Sequence, residues 1–142
     1  MKDMRVLFDT DVIMDFIVER EPFSNDAEKA ICLCLERRIP CSIAAHTIPN
    51  LFYILRKYLT MEERRDILLK ICLMFTVVGI DTNLLISALQ DFNFEDFEDC
   101  LQVRCASDFF ADFIVTRNVK DFVNSPVPVL EPTGLIAKLL VV

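Results

Sequence analysis

Five short runs rich in β-branched and aromatic residues alternate with segments of helical periodicity, and no Asn-Gly or similar hairpin dipeptide lies between them. The runs are residues 5–8, 40–45, 75–80, 113–116 and 127–130. Strands separated by helices pair most readily in parallel, through crossovers, and a parallel sheet is covered by helices on both faces. The alternation therefore predicts a three-layer α/β/α architecture around a central five-stranded parallel sheet, with all 142 residues in one domain. Pro126 and Pro128 put the last strand at an edge, because proline cannot donate to a ladder. In such sheets ligands bind beyond the carboxyl ends of the strands, so residues that follow strands are the first candidates for chemistry.

The helices carry their own punctuation. Residues 12–18 form a short one, broken by Arg20-Glu21-Pro22. Ser24 or Asn25 is expected to cap a helix running to about residue 38, with Ala27, Ala30, Ile31, Cys34 and Leu35 at helical spacing. Thr47 is expected to cap the next, where Pro49 is tolerated in the first turn. Thr60 caps residues 61–72, residues 82–90 are helical, and Thr133 starts a last helix. Asp96 caps the sixth helix, whose buried stripe is expected at Phe97, Leu101, Cys105 and Phe109.

Composition removes several function classes. Only two glycines are present, which excludes the Gly-rich phosphate loops of nucleotide-binding folds. A net charge of −7 argues against gripping nucleic acid by bulk charge, so any such contact needs a local basic rim. Six cysteines without a C-x-x-C pair, and a single His46, argue against a zinc site and for reduced thiols in a cytoplasmic protein. Asp9 and Asp11 interrupt the apolar start, so no signal peptide is expected. The most apolar stretch, residues 71–80, is too short to span a bilayer. A hydrophobic fraction of 54% with twelve Phe is high for a small chain, which predicts a homodimer that covers part of it.

Acids at strand ends remain as candidates. Asp9 follows the first strand directly, where a hard cation such as Mg²⁺ finds oxygen ligands. The plain alternative is a helix cap, and of the two neighbouring acids Asp11 reads as the better cap and Asp9 as the better ligand. Asp96 and Asp99 share one helix face, and both also suit the first turn of a helix on capping and dipole grounds alone. Thr116-Arg117-Asn118 ends the fourth strand, with Asp121 three residues on. Arg117 and Lys120 could meet a phosphate or be ordinary solvated cations. His46 reads as a structural histidine in preference to a general base.

Taken in order, residues 6–15 (Val-Leu-Phe-Asp-Thr-Asp-Val-Ile-Met-Asp), residues 96–102 (Asp-Phe-Glu-Asp-Cys-Leu-Gln) and residues 114–122 (Ile-Val-Thr-Arg-Asn-Val-Lys-Asp-Phe) resemble the PIN domain family, whose members include the VapC-type toxins. The resemblance runs from Val6 to about Pro132. It implies a five-stranded parallel sheet and a Mg²⁺- or Mn²⁺-dependent cut of RNA, with an antitoxin protein as a possible partner. It places Asp9 and Asp99 as metal acids, Asn118 at the last polar position and Asp121 close by as a further metal ligand. Thr10, Thr116, Arg117 and Lys120 fall where substrate would lie. Where the family has a Glu in the third helix, this chain has Asn50, which offers a carbonyl oxygen but no charge; Glu98 is the acid that could compensate. Two rivals stay open. One is a weakened domain of the same fold that binds RNA or protein without cutting. The other is a haloacid-dehalogenase-like phosphatase with Asp9 as nucleophile, although Ile13 stands where that motif has Thr or Val.

Overall fold

A computed structural model describes residues 4–141. Five strands, β1 (Val6–Phe8), β2 (Cys41–Ala44), β3 (Thr76–Val78), β4 (Phe113–Val115) and β5 (Val129–Leu130), make one all-parallel sheet in the order β3-β2-β1-β4-β5. Among the described residues seven α-helices surround it: α1 (Thr10–Val18), α2 (Ser24–Glu36), α3 (Thr47–Ile54), α4 (Met61–Met74), α5 (Thr82–Leu89), α6 (Phe97–Asp108) and α7 (Pro132–Leu140). β5 is at an edge, just after Pro126 and Pro128. β1 is central and wholly buried, which is why it reads as an unbroken apolar run rather than an alternating one.

Successive residues of a strand face opposite sides, and the core divides accordingly. Val6, Phe8, Ile43 and Val115 face one cluster, filled by Val12, Ile13, Ala27, Ile31, Leu51, Leu68, Ile71 and Leu135 from α1, α2, α3, α4 and α7. Leu7, Ala44 and Ile114 face the other, filled by α5 and α6 through Leu84, Ala88, Cys100, Leu101 and Cys105. Phe8 and Phe75 meet edge to face at 5.7 Å in the first.

Several local expectations need correction. Phe23, not Ser24 or Asn25, holds the capping position of α2, and the Ser24 hydroxyl donates to Glu21 instead. His46 occupies the capping position of α3, because the Thr47 hydroxyl is drawn into the interior. The last helix starts at Pro132, one residue before Thr133. Phe97 is 39% exposed, while Cys100, Gln102, Val103 and Ala106 are buried beside Leu101 and Cys105. The reason is that α6 packs both on β2 and β4 and against α5, so it is covered over more of its circumference than one four-residue stripe. Thr60 does cap α4, with Glu63 reaching back to close a capping box.

Candidate active site

The centre of the sheet delivers the first two candidate residues. Phe8 is in register with Val115, so the residues that leave β1 and β4 emerge side by side. They are Asp9 and Thr116. The Asp9 N–H donates to Val115 O at 2.9 Å, and the Thr116 hydroxyl donates to Asp9 Oδ2 at 2.8 Å. Asp9 also accepts from the Thr10 N–H at 2.8 Å and is the N-cap of α1. The capping role thus falls to Asp9, not Asp11, because the chain turns from strand to helix at that residue. Asp11, in the first turn, reaches the end of β4. Its Oδ2 accepts from the Arg117 N–H and from Asn118 Nδ2, both at 3.1 Å, and lies 3.3 Å from the Thr116 hydroxyl. Its Oδ1 is buried with no hydrogen-bond partner among the described residues.

The third acid comes from α6. Asp96 caps this helix by accepting from the Asp99 N–H at 3.1 Å, which leaves the half-buried Asp99 carboxylate in the first turn. Burial is the largest cause that raises the Asp9 carboxyl to about 7; the charge of Asp11 adds to it, and that of Asp99 adds less. Burial raises Asp99 to about 6, helped by Asp96, Asp121 and Glu98. Asp11 is raised as well, by burial, against the pull of Arg117. The acids therefore feel one another across the carboxyl edge of the sheet. A cleft of about 600 Å³ opens beside them, lined by Phe92, Glu95, Asp96, Asp99, Lys120 and Asp121 among others. Lys120 and Asp121 are exposed on its wall.

Other candidates are engaged elsewhere. The Arg117 guanidinium turns inward: its Nε lies 2.5 Å from Asp15 Oδ2, and it stacks 4.0 Å over the Phe23 ring. Asp15 is 1% exposed, and a buried carboxylate needs such a partner. Thr10 and Thr47 join hydroxyls at 2.9 Å, and Gln102 Nε2 donates to them at 3.1 and 3.2 Å. Asn50 lies on α3, one turn after His46, and its side chain makes no hydrogen bond among the described residues. Neither buried ring nitrogen of His46 makes a well-formed hydrogen bond among the described residues, and burial holds its pKa below the usual range against the opposing charge and backbone of Glu98.

Sequence reasoning passed over Asp11, Asp15 and Gln102 as site-building residues. For the last two a signal existed. Each is a polar residue inside an apolar helical run, Val-Ile-Met-Asp-Phe-Ile-Val and Cys-Leu-Gln-Val, where burial would strand it without a partner.

The donor set suits a hydrated hard cation. Mg²⁺ takes one or two protein carboxylates and keeps several waters. Asp9 and Asp99 are carboxylates both raised at one edge, Asp9 in part by Asp99 and Asp99 in part by Asp11, and the Asp11 Oδ1, without a partner among the described residues, is a further oxygen lone pair. Among the described residues no group of three or more His, Cys, Asp or Glu is placed to hold a metal ion by itself.

The sequence matches the family model described as PIN domain over residues 5–120. No curated protein matches it significantly. The fold is similar to that of a chain in a toxin–antitoxin complex from Klebsiella pneumoniae, with a TM-score of 0.64, 24% identity and coverage of 89% of this chain and 97% of that one. It is similar to VapBC2 from Rickettsia felis bound to a promoter DNA fragment, with a TM-score of 0.62 and 20% identity over 90% and 98% of the two chains. DNA-bound VapBC from Salmonella typhimurium gives a TM-score of 0.64 and 17% identity over 91% and 98%. At these identities the likeness carries the fold.

Proposed function

The chain belongs to the PIN domain family, and from that premise we propose that it is a divalent-metal-dependent endoribonuclease, the toxin of a toxin–antitoxin pair. The family match displaces the phosphatase alternative. The observation that carries the reading is the placement of Asp9 and Asp99, brought from β1 and α6 to one edge although their charges oppose each other. Folding alone gives no reason to hold like charges there; a cation turns the repulsion into shared attraction. Mg²⁺ or Mn²⁺ would be held by Asp9 and Asp99, with Asp121 on the cleft wall. When bound, such an ion supplies Lewis acidity toward a phosphate oxygen and an attacking water.

The remaining work belongs to this chain's own groups. The Thr116 hydroxyl donates to Asp9 and fixes the orientation of its carboxylate. Asn118 and the Arg117 N–H hold Asp11 beside it. Lys120, on the cleft wall, is the cation placed to meet a substrate phosphate, since the Arg117 side chain is committed to Asp15. Asn50 brings no charge to α3, so metal binding is expected to be weaker than in a site with a fourth acid. An RNA- or protein-binding domain that does not cut is the second reading, favoured by that same residue. An antitoxin partner and a cytoplasmic location go with the toxin reading. Among the described residues no helix is long and apolar enough to cross a membrane.

Two measurements test this. Cleavage of a mixed RNA pool is expected with Mn²⁺ and not with chelator. Calorimetric titration of Mn²⁺ is expected to show weakened binding for Asp9→Asn and for Asp99→Asn. Equal affinity in all three proteins would make these acids helix caps only and remove the basis of the reading; metal binding without cleavage would favour the second reading.

A further inference from the structure

The acid cleft is poorly built to hold a polyanion unaided. Glu95, Asp96, Asp99 and Asp121 face one cation there, Lys120. Arg117 and Arg104 are paired with Asp15 and Asp91. Phosphate contacts nevertheless supply much of the affinity of a protein for nucleic acid, so a chain of net charge −7 needs cations elsewhere. The sequence provides one long acid-free stretch: between Glu36 and Glu62 it has Arg37, Arg38, Arg56 and Lys57 but no Asp or Glu. Arg37 is tied to the Leu139 carbonyl. Arg56 and Lys57 are exposed, and no carboxylate pairs with them among the described residues.

The same short segment holds both tyrosines of the chain. Tyr53 is 63% exposed and Tyr58 57%, flanking the two cations. The Arg56 guanidinium lies 3.7 Å over the Tyr53 ring and donates to Tyr53 O at 2.8 Å, so cation and ring form one fixed platform. Nearby Glu63 folds back onto Thr60 as a cap. The surface connects to the acid edge through α3, whose Thr47 bonds to Thr10 beside Asp9. The helical path from Thr47 to Lys57 covers roughly 15 Å.

We infer that the exposed Tyr53, Arg56, Lys57 and Tyr58 form a binding surface for single-stranded RNA, with phosphates on the two cations and a base stacked on Tyr58. The inference rests on the ribonuclease reading for its substrate class. Aromatic faces beside a positive track are how proteins hold single strands without reading sequence. The surface supplies the affinity that the acid edge repels, and the strand leaving it reaches the edge one helix length away.

The test is binding of a fluorescent single-stranded RNA oligonucleotide in chelator across a potassium chloride series, with cleavage in Mn²⁺ measured beside it. Each phosphate contact on a single strand contributes about 0.7 to the slope of log affinity against log salt. Arg56→Ala with Lys57→Ala should therefore flatten the slope by about 1.4 and weaken binding at low salt. Tyr58→Ala should weaken binding about tenfold with the slope unchanged, and Tyr58→Phe should bind as wild type. Lys29→Ala, which removes an exposed cation on α2, is the control for bulk charge. Wild-type slope and affinity in the double variant, or a loss no larger than in Lys29→Ala, would overturn the surface. If the variants cleave and bind normally, the surface fails and the nuclease reading stands. If the surface variants lose RNA but wild type never cleaves, the nuclease reading fails and the surface stands. A wild type that binds no RNA, or variants that instead lose self-association, would overturn the surface in favour of a protein interface.

Discussion

At the scale of single residues, Asp9 does two things that conflict. It caps α1 as a charged acceptor, yet burial and its acidic neighbours raise its carboxyl to about 7. The unfolded value is near 3.9, so between about pH 4 and 7 the folded chain keeps a proton that the unfolded chain releases. The stability that protonation confers is present below the unfolded pKa and is lost as pH rises through the folded one. A shift of this size is worth on the order of 4 kcal/mol, part of it shared with Asp11. In chelator the Tm is expected to fall between about pH 4 and pH 7. Asp9→Asn should flatten most of that fall, and Mn²⁺ should restore the Tm at the alkaline end. A Tm that rises with pH over this range, or the same decline in both proteins, contradicts the assignment. Arg117 gives a second residue-level expectation. Arg117→Met leaves Asp15 buried without its main partner and should cost about 3–5 kcal/mol in denaturant unfolding. Combining it with Asp15→Leu should recover most of the loss; equal losses in the single and double variants would show that the pair is not coupled.

At the scale of elements, three helices that bear site residues meet at one polar knot. Thr10 opens α1, Thr47 opens α3, and Gln102 lies on α6 one turn beyond Asp99. Both amide hydrogens of Gln102 are used on the threonines, while its Oε1 is buried and unpartnered. Such an orphan costs about 1–3 kcal/mol. Gln102→Leu removes that cost and leaves the threonines bonded to each other, so its stability should stay within about 1 kcal/mol of wild type. It frees α6 from α1, however, and Mn²⁺ affinity should fall about tenfold as Asp99 is less well held against Asp9. Unchanged metal affinity in a folded Gln102→Leu protein would reduce the knot to packing. The helix ends show why some of this was legible and some not. Asp96 and Thr60 cap their helices as their sequence context says, because a cap is a contact between residues three apart. Thr47 carries the same local signal but spends its hydroxyl on Thr10, thirty-seven residues away, a competition no local window contains.

At the scale of the whole molecule, the described chain leaves large apolar side chains in water: Phe92 is 92% exposed, Val123 81%, Leu73 80% and Phe110 79%. An apolar groove of about 610 Å³ runs between α3 and α4, lined by Ile48, Pro49, Phe52, Leu68 and Leu69. A second copy covering the α4 side is the expected use of this surface. Light scattering at high micromolar concentration should give twice the chain mass, and Leu69→Glu with Leu73→Glu should give a monomer with an unchanged circular dichroism spectrum. A monomeric wild type at that concentration contradicts the homodimer and leaves these side chains to a different partner.

The order of apolar runs and helical periods determined the layers, the parallel sense and the edge position of β5, because these follow from hydrophobic period and from what proline cannot donate. The sequence also singled out Asp9, Asp99 and Thr116 as strand-end or helix-start residues, since position relative to an element is a local property. It could not say what each side chain touches. What orients the Asp9 carboxylate, whether Arg117 faces a phosphate or Asp15, and why Gln102 is buried were decided by contacts between residues about a hundred positions apart. Local spacing puts a polar group on a face; only the packed sheet, with β1 beside β4 and α6 across from α1, sets which groups are desolvated together. Desolvation is what sets these three carboxylates apart as a candidate site, and it is a property of the tertiary fold.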